Sequence, residues 1–580
     1  MKIRPFPTLP APRPTQPRRA PSRKTRAAVV IALAVLGLTA CGGDGGYYYY
    51  GNGDGELVSF VGTSNAFVAW ADPTTGVAST LQTGTYAGKA QFLRGTIDPL
   101  SGRDWGQPAG VEVYKGADGH IHALQLTARG APVVEQLSNE SGATIDDTCS
   151  LSGPTVSGAN TDYAGVYFAG DLANPVNSTY FYRLPGTDGV CNTADDVVRM
   201  VKTGMSAGDA PVTVSAMPVA TVRGSNGSIT GFVIKQGASL LLVDSQFNNP
   251  VTLGTFAAPI TVAYPLPAGL TAGYPTSQWF VVDGAVYHVD YAAHTTSAAQ
   301  FSLPNWSATD PVLDTAASPT SLYFAVNTPA AGSAPASASV YEAPQDGSTA
   351  PLLAAAETGR IAEMQYPVAS ASLVYDVIDN SYSIRALPAA GGAPVTVLAT
   401  SQNKGHFEAT ASAVYYDAAN LTTSPGQSVT SGTVSGILGL DGTVLQAPLA
   451  NSTFLIGAET AAYPDSTPPT TETARETVFQ IQNLAPVTVT DPVTGQVITG
   501  DGVSGGTLVA IDTTTNQPVA TLGTVGGGNA LNLVGSFNDD GHVGFVTATT
   551  ALSTASPATR DLYLLNSHLG SSLVQETNNL

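Results

Sequence analysis

The chain has 580 residues, 43% of them apolar and 11% charged. This composition supports a large packed core and excludes a disordered chain, which would be poorer in apolar residues and richer in charge. Eight Lys/Arg and no acid precede Cys41, so the rest of the chain sets 15 basic residues against 43 acidic ones, a net charge near −28. A surface of that sign repels nucleic acid and anionic headgroups.

The amino-terminal stretch reads as an export signal. Arg18, Arg19, Arg23, Lys24 and Arg26 form a basic, proline-rich segment, and residues 27–40 form an uncharged apolar run. Fourteen residues are too few to span a bilayer core, which takes about 20, but they suit a signal core. Ala-Pro-Ser after Arg18-Arg19 departs from the twin-arginine pattern, which leaves general secretion as the expected route. Leu38-Thr39-Ala40-Cys41 resembles the lipobox of bacterial lipoproteins. The resemblance implies cleavage before Cys41, acylation of Cys41, and a mature protein that starts there. Several buried acyl chains hold stably where one holds weakly. Gly42, rather than Asp, follows the cysteine and resembles the outer-membrane sorting pattern.

Residues 41–55 are the lipidated cysteine and a Gly/Tyr-rich linker that has no face to bury and acts as a flexible tether. Tyr47 to Tyr50 are candidates for the lipid interface. Cys149 and Cys191 are the only cysteines after Cys41, and in an oxidising compartment such a pair is expected to form a disulfide.

From 56 to 580 no helical periodicity is sustained; in the Ala-rich stretch 352–364 Gly359 interrupts it. Short β-branched and aromatic runs alternate with Gly, Pro, Asn and Asp. Examples are Ala66–Trp70, Ile121–Leu126, Tyr180–Leu184, Leu240–Asp244, Val286–Asp290, Val340–Pro344, Ser383–Leu387, Gly436–Leu440, Leu508–Asp512 and Leu562–Asn566. The runs lie mostly 44 to 59 residues apart, with one gap near 70 around 440–510; all-β units at a period of this order predict propeller blades, because one blade cannot bury both its faces. The expected fold is an all-β propeller of seven or eight blades over 56–580; the alternative is a series of β-sandwich domains. Ser318-Pro319-Thr320, then Leu322–Val326, Val340-Tyr-Glu-Ala343 and Gln345-Asp-Gly-Ser348, resembles TolB- and YncE-like envelope propellers. Segment 462–476 reads as a long surface loop.

Motifs for chemistry are weak. Gly204-Met-Ser206-Ala-Gly208 and Gly502-Val-Ser504-Gly-Gly506 match the nucleophile-elbow string, which must join a strand to a helix. Asp209-Ala-Pro211 breaks a helix after the first and Thr507–Ile511 reads as a strand after the second, so both are read as turns. Gly500, Gly502 and Gly505 fit the dinucleotide string equally without its helix. His120 and His122 share one strand face and are read as packing residues rather than metal ligands. Thr187–Asp196 is dense in oxygen ligands around a glycine turn; Asp188, Asp195 and Asp196 are candidate Ca²⁺ ligands, with Asp146-Asp147 within reach through the disulfide. The stretch resembles a Gly-x-Asp-Gly-x-x-x-Thr-x-Asp-Asp loop of secreted bacterial proteins, but lacks the closing Glu of an EF-hand. The expected function is a non-catalytic envelope lipoprotein that displays propeller loops to a protein or glycan partner. The alternative is an envelope hydrolase or lyase with its site at the propeller axis.

Overall fold

The computed structural model describes strands between Glu56 and Gln575, and side chains chiefly within residues 179–202, 211–268, 276–304, 313–331, 335–367, 370–421, 430–454 and parts of 480–521. Among the described residues every named element is a strand, and the strands form several small antiparallel sheets. The predicted signal, the tether with Cys41 and the loop 462–476 lie outside the described residues.

Six consecutive sheets share one plan, and each is laid down as a meander of four strands in sequence order. Sheet one holds Val166–Ala169, Thr179–Leu184, Val197–Lys202 and Val212–Val214. Sheet two holds Pro218–Arg223, Ile229–Gln236, Ser239–Asp244 and Val251–Thr255. Sheet three holds Ala263–Pro265, Ser277–Val282, Ala285–Asp290 and Thr295–Thr296, and Phe301–Ser302 also pairs with its third strand. Sheet four holds Thr315–Ala317, Ser321–Thr328, Ser337–Pro344 and Leu352–Thr358. Sheet five holds Met364–Gln365, Ser372–Ile378, Tyr382–Pro388 and Val395–Thr400. Sheet six holds Lys404–Ala409, Ala413–Ser424, Gln427–Gly439 and Val444–Ala450. A seven-stranded sheet follows, opening with Ser452–Phe454; its long strand Gln517–Phe537 runs close to Glu56–Val61.

The order of burial within each sheet explains the sequence pattern. Second strands such as Ser277–Val282 and Ser372–Ile378 are buried almost throughout, whereas fourth strands such as Val444–Ala450 are exposed. A strand covered on both faces must be apolar at consecutive positions, which is why Trp279-Phe-Val-Val282 and Leu373-Val-Tyr375 lack alternation. Successive side chains still go to opposite faces. Phe280 and Val282 join the cluster shared with sheet two, while Trp279 and Val281 join the cluster shared with sheet four. Tyr323 and Ala325 meet Leu373 and Tyr375 of sheet five; Val374 turns the other way, to Phe407 and Val414 of sheet six. Sheets two to six therefore each bury one face on the predecessor and the other on the successor.

Polar bonds follow the same succession. Tyr167 and Thr221 share a hydroxyl bond of 2.8 Å between sheets one and two. The Lys235 ammonium donates to Thr261 O, in the segment leading into sheet three. The Trp279 indole N–H donates to Pro344 O of sheet four at 2.7 Å. Gln365 donates to Phe407 O at 3.1 Å and accepts the Ala409 N–H at 2.8 Å, so its amide pairs the first strands of sheets five and six.

Turn chemistry recurs as well. Asp244, Asp290, Asp346 and Asp441 each accept a backbone N–H two residues on, the Asx turn that reverses the third strand into the fourth. Ser318, Ser370 and Thr410 accept from Ser321, Ser372 and Ala413 and turn the first strand into the second. Leu322–Val326, after the Ser-Pro turn, lies in the doubly covered second strand of its sheet.

The expected Cys149–Cys191 disulfide is corrected. No disulfide occurs among the described residues, and both cysteines lie outside them. The hairpin loop that contains position 191 is closed by its own side chains: Thr187 and Thr193 hydroxyls donate to Asp195 at 2.9 and 2.7 Å, and Arg183 pairs with Asp196 at 3.4 Å.

Candidate functional site

In each sheet the first strand starts, and the second ends, at the same edge, because the two pair antiparallel. Register places charged residues at one recurrent point there. Val166 pairs with Tyr182, Pro218 with Ile234, Ala263 with Val282 and Met364 with Tyr375. The next residue along the second strand is in turn Arg183, Lys235, Asp283 and Asp376. Sheet six departs from this register: its first strand opens with Lys404 across from Ala419, and Asp417 lies two residues further in, across from His406. In sheet four the place falls to Ala325, whose N–H donates to Asp314 O, and the carboxylate comes from Asp314 on the incoming segment. Sheets one and two thus contribute a cation near this edge and sheets three to six an aspartate, with Arg360, Lys404 and His406 beside the later ones.

Three of these carboxylates each hold a neighbouring segment. Asp283 Oδ1 accepts the Val262 N–H at 2.8 Å and the Thr261 N–H at 3.1 Å. Asp376, almost wholly buried, accepts the Ala362 and Glu363 N–H groups on one oxygen at 2.8 and 2.9 Å. Asp417 Oδ2 accepts the Thr453 hydroxyl of the next sheet at 2.6 Å. A segment entering a sheet has amides that no strand yet pairs, and a buried unpaired N–H is costly. Asp283 and Asp376 satisfy those amides, while Asp417 ties its sheet to the next through a hydroxyl.

Burial sets the electrostatics. It lifts Asp376 to about 6, against the opposing pull of its two amide bonds. Burial, then repulsion from Asp376, lifts Asp314 to about 7, with the Arg360 guanidinium pulling down. Burial also raises Asp417, which His406 opposes. Tyr382 is fully buried and its hydroxyl has no hydrogen-bond partner among the described residues; burial, with the charges of Asp376, Glu363 and Asp417 in turn, holds its pKa well above the ordinary value. Gly405 is required beside it, because any Cβ there would run into the Tyr382 ring.

The residues singled out by sequence lie elsewhere. Asp188 Oδ1 accepts the Val190 N–H at 2.8 Å in an Asx turn. Asp195 is held down to about 2 by the hydroxyls of Thr193 and Thr187. Asp196 pairs with Arg183 and accepts from Thr193 at 3.3 Å. Among the described residues no group of three or more His, Cys, Asp or Glu is arranged to hold a metal ion. Gly500 lies in the strand Val497–Asp501, and Ser504 opens the strand Ser504–Asp512 rather than a helix. Ser206, Asp146, Asp147 and His120 lie outside the described residues, as does the side chain of His122.

Sequence reading missed Asp283, Asp314, Arg360, Asp376 and Asp417. The signal available was an aspartate closing or interrupting an otherwise buried run, as in Leu373-Val-Tyr-Asp376 and Val414-Tyr-Tyr-Asp417.

No family model matches the chain, and no curated protein matches it. Among solved structures it is similar to a eukaryotic initiation factor, with 10% identity over 91% of this chain and 97% of that one at a TM-score of 0.42. Porphyromonas gingivalis dipeptidyl peptidase 4 aligns with 11% identity over 82% of this chain and 60% of that one, at 0.32. Saccharomyces cerevisiae Sqt1 aligns with 12% identity over 69% and 97%, also at 0.32. Similarity this distant assigns neither a family nor an activity, so the functional argument stands on the chain's own residues.

Proposed function

We propose that the chain is a lipid-anchored protein of the bacterial cell envelope, placed in the outer membrane, whose sheets close into a β-propeller and offer their turns to a protein or glycan partner without catalysing a reaction. The observation that carries the reading is the relay of apolar clusters: every sheet from one to six shares a core with the next. A row of sheets covered on both faces has bare faces at its two ends, and closing into a ring covers them. The close approach of Glu56–Val61 to Gln517–Phe537 supports that closure.

One further feature favours binding over catalysis, and another narrows the partner. Asp283 and Asp376 are engaged by backbone amides, which leaves them holding the scaffold rather than facing a substrate. The net charge near −28 after Cys41 selects against nucleic acid and anionic surfaces. The membrane attachment is assigned to acyl chains on Cys41; among the described residues no helix is long and apolar enough to cross a bilayer.

The experiment is acyl labelling with fractionation in the bacterium. Wild type is expected to incorporate labelled palmitate and sediment with membranes. Cys41→Ser is expected to lose the label and the sedimentation together. Equal sedimentation of an unlabelled Cys41→Ser protein contradicts the anchor.

A further inference from the structure

Among the described residues, the fourth strands of sheets one, two, four, five and six each pair with one strand only. Such an edge offers a row of backbone N–H and C=O groups to another chain, and proteins guard against it with short strands, Pro, bulges or a covering loop. Most edges here are guarded. Sheet one ends in three residues, Val212–Val214, and sheet three in Thr295–Thr296. In sheet two the edge is broken by Gly254, where a Cβ would lie 2.7 Å from Thr296 Oγ1 of sheet three. The sheet-five edge is overlaid by a turn of sheet six, since a Cβ on Gly442 would lie 3.1 Å from Thr396 O. The sheet-six edge carries Pro448 and two register shifts.

Sheet four is the exception. Its edge Leu352–Thr358 has seven residues with neither Pro nor Gly. One register shift falls at Ala354, after which Ala355 to Thr358 run in plain register against Val340 to Ser337. Leu352 and Leu353 are 66% and 60% exposed, and as neighbours on a strand they stand on opposite faces. The corresponding turn of sheet five does not reach over them: a Cβ on Gly391 or Gly392 would meet nothing within 4 Å. The charge here is one-sided. Between Lys235 and Arg360 the chain carries eight Asp/Glu and no Lys or Arg. Glu342 lies across from Leu352, and exposed Asp346 stands in the turn that leads to it. Glu357, on the strand itself, is already paired with Arg385 at 3.8 Å, and exposed Arg360 follows the far end.

We propose that the edge Leu352–Thr358 accepts an extended, β-branched, basic segment of a partner protein as a fifth strand of sheet four. This narrows the binding role proposed above to one edge and one kind of partner, and it rests on that role. The backbone groups that Ser337–Pro344 does not pair call for an extended chain, because only a strand matches their spacing. Ala355 and Ala356 let that chain approach closely, and Leu352 and Leu353 receive its apolar side chains on either face. Glu342 and Asp346 favour a Lys or Arg at the Leu352 end and repel an acidic segment. A second copy of this chain brings the same acids and the same net charge near −28, so it is the weaker occupant.

The test is amide hydrogen exchange in the full mature protein with a synthetic peptide, Lys-Val-Thr-Val-Thr-Val-Lys, or its counterpart with Glu at both ends. With the Lys peptide at about 1 mM, the outward amides between Ala355 and Thr358 are expected to slow about tenfold, the factor for a Kd of about 0.1 mM. With the Glu peptide they are expected to hold their rate, as are the edges Val395–Thr400 and Val444–Ala450 with either peptide. Leu352→Lys with Leu353→Lys changes two exposed positions and is expected to abolish the slowing; Leu352→Lys alone serves if the double variant does not fold. No slowing by the Lys peptide overturns the proposal, as does equal slowing by the Glu peptide, equal slowing at the other two edges, or slowing that survives the Lys substitutions. Protection without peptide that rises with protein concentration puts a second copy on the edge and overturns it too. Such failures leave the turns as the binding surface; failure of the binding role itself reads separately, as no partner crosslinked to the membrane-bound protein.

Discussion

Asp376→Ala is expected to destabilise the protein by roughly 2–5 kcal/mol, because it orphans two buried amides at about 1–3 kcal/mol each. Asp376→Asn keeps an oxygen for Ala362 and Glu363 and is expected to behave in the opposite sense at high pH. Burial raises the carboxyl to about 6 in the folded chain, against about 3.9 when unfolded. The folded state therefore binds the proton more tightly than the unfolded state. Stability contributed by the protonated acid is complete below about pH 4, falls as pH rises towards 6, and is flat above that. Asn carries no such charge, so Asp376→Asn is expected to gain on the order of 1–3 kcal/mol over wild type at pH 8 and nothing at pH 4. Denaturant titration of the three proteins at both pH values checks the ordering. A similar loss in the Asn and Ala variants at pH 8 would show that the carboxylate charge, not its acceptor geometry, holds the Ala362 and Glu363 amides.

Trp279→Ala is the core substitution with the largest expected effect. The indole is fully buried in the cluster between sheets three and four, lies edge-on to His288 at 5.1 Å, and ties the two sheets through Pro344 O. Emptying a site of that size costs about 3–5 kcal/mol, and the stranded carbonyl adds to it. Val444→Ala, on the exposed fourth strand of sheet six, is expected to change stability by less than about 0.5 kcal/mol. Guanidinium midpoints measure both. A Trp279→Ala protein that unfolds in two separated steps would show that sheets three and four do not fold as one unit.

The strands were legible because a β-meander writes itself locally. Leu240–Asp244 and Val286–Asp290 each end in an aspartate that caps the following turn, and both are third strands of their sheets. The Ala-rich stretch at 352 has no helix period, and it begins with the edge strand Leu352–Thr358, with Leu352 and Leu353 facing solvent. The polar end was not legible, since the same letter pattern serves two roles. Asp244 closes a run and bonds its own turn; Asp376 also follows a buried run, but it bonds the segment entering its sheet. Only strand register separates the two. Asp314 and Arg360 lie 46 positions apart in the sequence, and nothing in either neighbourhood announces the other. At Thr187–Asp196 the oxygens were visible but their donors were not: the hydroxyls of Thr187 and Thr193 and the Arg183 guanidinium engage the carboxylates.

The central claim is that successive double-covered sheets close on themselves. Small-angle X-ray scattering of the mature chain measures the outcome. A closed ring of about this length is expected to give a radius of gyration near 24 Å, the value for one compact domain. A value of roughly 35 Å or more, as three sandwich domains in a row would give, contradicts the ring.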